Sequence, residues 1–240
     1  MTISTQITTL GARLFILISL LIQVAGARQA AKPCEVRGKL SLTKVSDEPR
    51  RQAQIDRYGT HKKPVTGSQA AAALPPTYRL SERAVVYLAS EGFRGQKFSP
   101  PAARPVLNQK NLTFYPQVLP ILVGTSVDFP NGDPLFHNVF SYSQPREFDL
   151  GRYPTGESRS VRFDHPGIVR VYCDIHAHMN ATILVLDNPF FATPDDQGNY
   201  TIKNVPEGTY SLKVWYGREV IEERSLSVKS GETITVNIVH

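Results

Sequence analysis

A chain of 240 residues with 41% hydrophobic and 20% charged residues is long enough for one large or two modest domains, and it is too apolar for a disordered tail. The net charge of +6 is mild. With no Lys/Arg run longer than two and no nucleic-acid motif, it argues against nucleic acid and for docking to an acidic partner or surface.

Residues 1–27 read as a secretory signal peptide. Met1 to Arg13 carries one basic residue and no acid, Leu14 to Val24 is almost wholly apolar, and Ala25-Gly26-Ala27 supplies the small residues of a cleavage site. The apolar stretch falls short of the roughly 20 residues of a spanning helix. The expectation is therefore a periplasmic or secreted protein with no stable membrane span once the leader is removed.

In 28–103, Val36 to Leu42 alternates like a strand and Ala84 to Leu88 is a second, rich in β-branched residues. Between them, Val45 to Arg83 mixes charges, the Ala70 to Ala73 run and Pro75-Pro76 without a sustained period, which predicts a long flexible insertion. Its Arg50-Arg51 and Lys62-Lys63 pairs fit a solvated loop better than a docking surface.

From 104 to 188 short strand signals crowd together: Leu112 to Tyr115, Val118 to Leu122, Ser126 to Phe129, Asn138 to Tyr142, Ser160 to Phe163, Ile168 to Cys173 and Thr182 to Leu186. Gly, Pro, Asn and Asp separate most of them, the pattern of a β-sandwich or barrel. From 189 to 240, turns at Asp195 to Asn199 and Val205 to Gly208 bound the strands Tyr200 to Ile202 and Tyr210 to Trp215. Ser225 to Val228 and Thr233 to Val239 are expected to pair as a hairpin across Lys229-Ser230-Gly231. This last region is small for an independent core, so it is expected to borrow the N-terminal strands. The fold class is all-β: one sandwich over 104–188 and a second, small, discontinuous one. The rival arrangement is a separate C-terminal module, with the N-terminal strands belonging to the first sandwich.

The chemistry concentrates in Cys173-Asp174-Ile175-His176-Ala177-His178-Met179, which holds a thiol, two imidazoles and a thioether on one loop between two strands. Sulfur donors favour copper, imidazole suits copper and zinc, and two nitrogens, one thiolate and a weak axial Met describe an electron-transfer copper site. The Cys-x-x-His-x-x-Met spacing supplies only one of the two imidazoles, and His137 is the candidate for the other. The candidate metal ligands are thus His137, Cys173, His176 and Met179. In an extended loop His178 points away from His176 toward solvent, the alternative being that it ligates or tunes the site as a nearby titrating group, and His165 sits in a surface turn. His61 and His240 carry no pattern.

Gly124 to Asn131, then His137-Asn138-Val139, then Pro166-Gly167-Ile168-Val169 leading into Tyr172-Cys173, His176 and Met179 resembles the type 1 (blue) copper proteins of the plastocyanin and amicyanin kind. The resemblance spans roughly Asn108 to Asp187. It implies a cupredoxin Greek-key β-sandwich with one type 1 copper held by His137, Cys173, His176 and, axially, Met179. It also implies that Asn138 ties the two ligand loops together, and that His176 is the electron exit within an apolar rim including Leu135, Phe136 and Ala177. Gly38 to Leu42, Ala84 to Leu88, Asp196 to Tyr200 and Val205 to Tyr210 resemble the two halves of a carboxypeptidase-regulatory-like, transthyretin-type β-sandwich.

The expected function is one-electron transfer through Cu(I)/Cu(II) cycling, by a monomer serving a redox partner protein and not an enzyme in its own right. No nucleophile elbow, His-Glu-x-x-His or phosphate loop is present. Two other readings use the same residues. One is a copper carrier or sensor that hands metal on; the other is a metal-free structural sandwich in which Cys173 is bridged to Cys34.

Overall fold

The computed structural model describes residues 34–43 and 79–240. The signal peptide read over 1–27, most of the insertion read over 45–83, and His61 lie outside the described residues. What is described is almost entirely β-structure, as the alternating apolar pattern requires. The helical exceptions are a four-residue turn of helix at Leu80–Arg83 and a 3-10 turn at Glu91–Phe93.

One sandwich is built from a continuous stretch. Its main sheet has five strands in the order Val118–Leu122, Asn180–Leu186, Gly167–Tyr172, His137–Ser143, Arg146–Tyr153. The first pair is parallel and the other pairs antiparallel. Thr125–Pro130 and Ser158–Phe163 form an antiparallel pair, and Asn108–Lys110 with Thr113–Tyr115 form a short hairpin. Because side chains alternate across a strand, Val127, Phe129, Val161 and Phe163 meet Val139, Val169, Val171, Ile183 and Val185 in one core. Cys173 and Met179 belong to that core, so the candidate ligands sit at its edge and not on a remote loop.

The second sandwich is discontinuous. Cys34–Ser41 lies between Asn199–Val205, antiparallel, and Thr233–Thr235, parallel, with Ile238–Val239 continuing beside it. The facing sheet runs Phe191–Ala192, Ala84–Ala89, Gly208–Tyr216, Glu219–Val228. Val36, Leu40, Val86 and Leu88 from the N-terminal part share one core with Tyr200, Ile202, Tyr210, Leu212 and Val214. The site-bearing sandwich is therefore inserted between the two parts of the other one.

A third, small cluster joins the two: Val85, Val118, Leu184, Leu186 and Trp215. Val85 and Trp215 are the out-of-phase neighbours of Val86 and Val214, so one sheet feeds two cores from its two faces. Arg170 seals the junction, with its guanidinium 5.6 Å from the Trp215 ring centre and hydrogen bonds to the Thr182 hydroxyl (2.6 Å) and the Arg218 carbonyl (2.7 Å).

One local expectation fails, and one strand is unexpected. Ser225 to Val228 does not pair with the last strand; it is the end of Glu219–Val228, which pairs with Gly208–Tyr216 across a tight turn at Gly217, where φ is 58°. The chain then crosses at Lys229–Gly231 to the opposite sheet, because Ile234 and Val236 pack into the discontinuous core from the Cys34–Ser41 side. Arg146–Tyr153 is a strand without a strong alternating signal, since only Tyr153 is buried and the rest forms a sheet edge rich in charge.

Candidate metal centre

His137 opens the strand His137–Ser143, and Cys173 follows the strand Gly167–Tyr172 directly, so two neighbouring strands deliver both residues to the same end of the sheet. The loop from Cys173 to Met179 is closed by its own backbone. The Cys173 N–H donates to the Met179 carbonyl (3.2 Å), and the Met179 N–H to the His176 carbonyl (2.9 Å). His176 is thereby turned back over Cys173.

The donor atoms converge. His137 Nδ1 and His176 Nδ1 are 3.1 Å apart, and each lies 3.8 Å from Cys173 Sγ. A single point in the plane of that triangle is about 2.1 Å from all three atoms, the length of a metal–imidazole bond and close to that of a metal–thiolate bond. These three residues form a group able to hold a metal ion. Met179 is buried at 1% exposure in the same core as Cys173. The donor set and its spacing fit a metal held by two imidazoles and one thiolate.

Burial sharpens the electrostatics. His137 is fully buried, Cys173 is 4% exposed, and His176 is half-buried at the surface. Burial first, and then the neighbouring His137 and His178, hold the His176 imidazole below its usual pKa, partly offset by Asp133. A neutral ring at physiological pH is what a metal requires of histidine.

Behind His137 lies a group that the sequence reading missed. Asp133 Oδ2 is 2.9 Å from His137 Nε2. The same carboxylate accepts the backbone N–H groups of Asn111 (2.5 Å, to Oδ1) and Leu112 (2.9 Å, to Oδ2). Burial raises its pKa, but the hydrogen bonds from Leu112, His137 and Asn111 outweigh that and hold the carboxyl below its ordinary value. An ionised carboxylate only accepts, so the hydrogen of this contact sits on His137 Nε2, and a neutral ring then turns the lone pair of Nδ1 toward Cys173 and His176. A carboxylate behind a metal-binding histidine orients the ring and raises its basicity.

The polar network continues inward. The Asn131 amide donates to the Leu135 and Tyr153 carbonyls and its oxygen accepts the Asp133 N–H, which fixes the turn Asn131-Gly132-Asp133-Pro134. Gln109 donates to the Tyr153 hydroxyl (2.6 Å), which in turn donates to the Phe129 carbonyl (2.9 Å). Asn138 bridges the two ligand loops: its oxygen accepts the Asp174 N–H (3.4 Å) and its amide donates to Asp149 (2.6 Å).

The other sequence candidates fall elsewhere. His178 is exposed, with its ring centre 6.3 Å from that of His176, and His165 and His240 are exposed as well. Cys34 and Cys173 are not joined by a disulfide and are buried in different cores, so the disulfide reading fails. Leu135 (48% exposed), Phe136 (57%), Ile175 (38%) and Ala177 surround the ligand loops in sequence and stay open to solvent.

A family model described as polysaccharide lyase family 4, domain II, matches residues 185–236, which is the C-terminal part of the discontinuous sandwich. No curated relative matches the chain in sequence. Among solved structures, it is similar to a copper-containing nitrite reductase from Thermus scotoductus (28% identity, 39% of this chain and 24% of that one, TM-score 0.35). It is also similar to a purple cupredoxin from Nitrosopumilus maritimus (22% identity, 34% and 99%, TM-score 0.31) and to a reduced amicyanin variant (18% identity, 42% and 98%, TM-score 0.34). The chain spans about a quarter of the nitrite reductase. At these TM-scores the likenesses carry no weight, and the reading of the centre rests on its own geometry.

Proposed function

We propose that the protein is an exported one-electron carrier that binds a single type 1 copper through His137, Cys173 and His176, with Met179 as the weak axial ligand. The observation that carries this reading is the triangle of His137 Nδ1, His176 Nδ1 and Cys173 Sγ, whose centre is at bonding distance from every corner. Copper held there supplies the electron by alternating between Cu(I) and Cu(II).

The chain's own residues do the rest. Cys173 binds as thiolate and its proton leaves on metal binding. His137 and His176 present neutral nitrogens. The loop's internal hydrogen bonds and the Asn138 bridge hold the ligands in one arrangement, so little has to move when the charge at the centre changes. The protein performs no bond-making chemistry of its own in this reading. It acts as a monomer in the periplasm or outside the cell and does not bind nucleic acid. Electrons leave through His176, and the partner protein docks on the apolar collar of Leu135, Phe136, Ile175 and Ala177.

The alternative of a copper carrier that hands its metal on is disfavoured by burial. Ligand exchange needs donors that an incoming protein can reach, whereas His137 is fully buried and Cys173 nearly so. Reconstitution with Cu(II) separates the readings. An intense thiolate-to-copper absorption with narrow copper hyperfine splitting is expected, while a colourless protein that binds only Cu(I) would establish the carrier.

A further inference from the structure

We infer that Asp133 is the positioning residue that sets the balance between the two oxidation states. Through His137, its carboxylate commits the ring to binding by Nδ1 and favours the more positively charged metal. The inference deepens the copper reading and rests on it.

The first support is placement. The side chains of Asp133 and His137 are 6% and 0% exposed, and the 2.9 Å contact between them is shielded from water, where a charge acts more strongly than at a surface. The alternatives at this position behind a metal-binding histidine are a backbone carbonyl or water, both neutral. A full negative charge on the far side of the ring raises the ring's donor strength. It also offsets positive charge at the centre, and the oxidised metal gains more from both than the reduced one.

The second support is that the carboxylate is built into the fold. Asn111 and Leu112 form the two-residue turn of a hairpin, with φ of 55° and 58°. Two successive positive φ values define a turn that favours Asn and Gly, and a leucine there is unusual. That conformation aims two consecutive N–H groups at the two oxygens of Asp133. The Asn131 oxygen accepts the Asp133 N–H (3.0 Å), and the Thr155 hydroxyl donates to the Asp133 carbonyl (2.5 Å). Two hydrogen bonds to its carboxylate and two to its backbone, from three segments, therefore fix the residue whose side chain faces the back of His137.

The test compares wild type with Asp133→Asn, which keeps the shape and removes the charge. Thr155→Val serves as a control that touches only the Asp133 carbonyl. The asparagine variant is expected to keep the thiolate absorption and to lose about tenfold to a hundredfold in Cu(II) affinity. Cu(I) affinity should change less. Each tenfold difference between the two losses raises the reduction potential by about 59 mV, and Thr155→Val should leave the potential in place. Independently of copper, nitrogen NMR of the metal-free wild type should find the His137 hydrogen on Nε2. A coloured wild type whose potential is unmoved by Asp133→Asn overturns the role of Asp133 alone. A wild type that takes up no copper overturns the reading of the centre itself. If the asparagine variant fails to fold, the NMR measurement decides, and a hydrogen on Nδ1 overturns the inference.

Discussion

The two sandwiches differ most in what they bury. Gln109, Thr125, Asn131, Asp133, His137, Asn138, Ser141 and Thr182 are all buried polar residues of the inserted sandwich, with Asn188 at its boundary. The core of the discontinuous sandwich is apolar and aromatic, with Phe93 packed against Tyr210, Phe190 and Phe98. Burying a polar group costs stability unless it is hydrogen-bonded. Of the buried polar residues, Gln109, Asn131, Asp133, His137 and Asn138 gather around the candidate centre with hydrogen-bond partners there, and they mark the region where function outweighs packing. The other sandwich serves as the frame, tied on through Trp215 and Arg170.

Cys173→Ala should break this comparison most completely. It removes the thiolate and with it all visible colour on copper addition, while thermal unfolding still shows a folded protein. Next in size, Leu212→Ala in the apolar core should cost about 2–5 kcal/mol in chemical denaturation. Copper absorption of the folded fraction should stay unchanged; loss of colour there would mean that the frame shapes the centre directly.

A pH effect is expected from the buried carboxylate on the polar side. The folded-state pKa of Asp133 lies below its unfolded value, so its contribution to stability is complete above the unfolded value and is lost as pH falls through the folded one. The metal-free protein should therefore lose stability at acid pH in chemical denaturation, and Asp133→Asn should flatten that part of the profile. The smallest effect is expected from Met179→Leu. This near-isosteric change should cost less than about 1.5 kcal/mol and leave a coloured centre with a shifted potential. Loss of all copper would contradict the weak axial role.

Much of this was legible in the residues. Alternation exposed the strands that are buried on one face, such as Thr125–Pro130 and Gly208–Tyr216. The ligand spacing brought attention to His137, Cys173 and His176, whose donor atoms the fold brings together. Arg146–Tyr153 escaped because an edge strand needs little apolar alternation. The hairpin expected after Ser225 failed because local turn chemistry at Lys229–Gly231 competed with long-range pairing to Cys34–Ser41, which no local pattern encodes. Asp133 was visible only as an acid four residues before His137 in an Asn-Gly-Asp-Pro turn. Its meaning depends on the N–H groups of Asn111 and Leu112, some twenty residues away.

The central claim is that His137, Cys173 and His176 hold one copper ion. Diffraction from copper-loaded crystals at the copper absorption edge tests it most directly. The account predicts one anomalous peak inside the triangle of His137 Nδ1, His176 Nδ1 and Cys173 Sγ, about 2.1 Å from each corner. A peak on the exposed His178 or His240, or none at all, would contradict it.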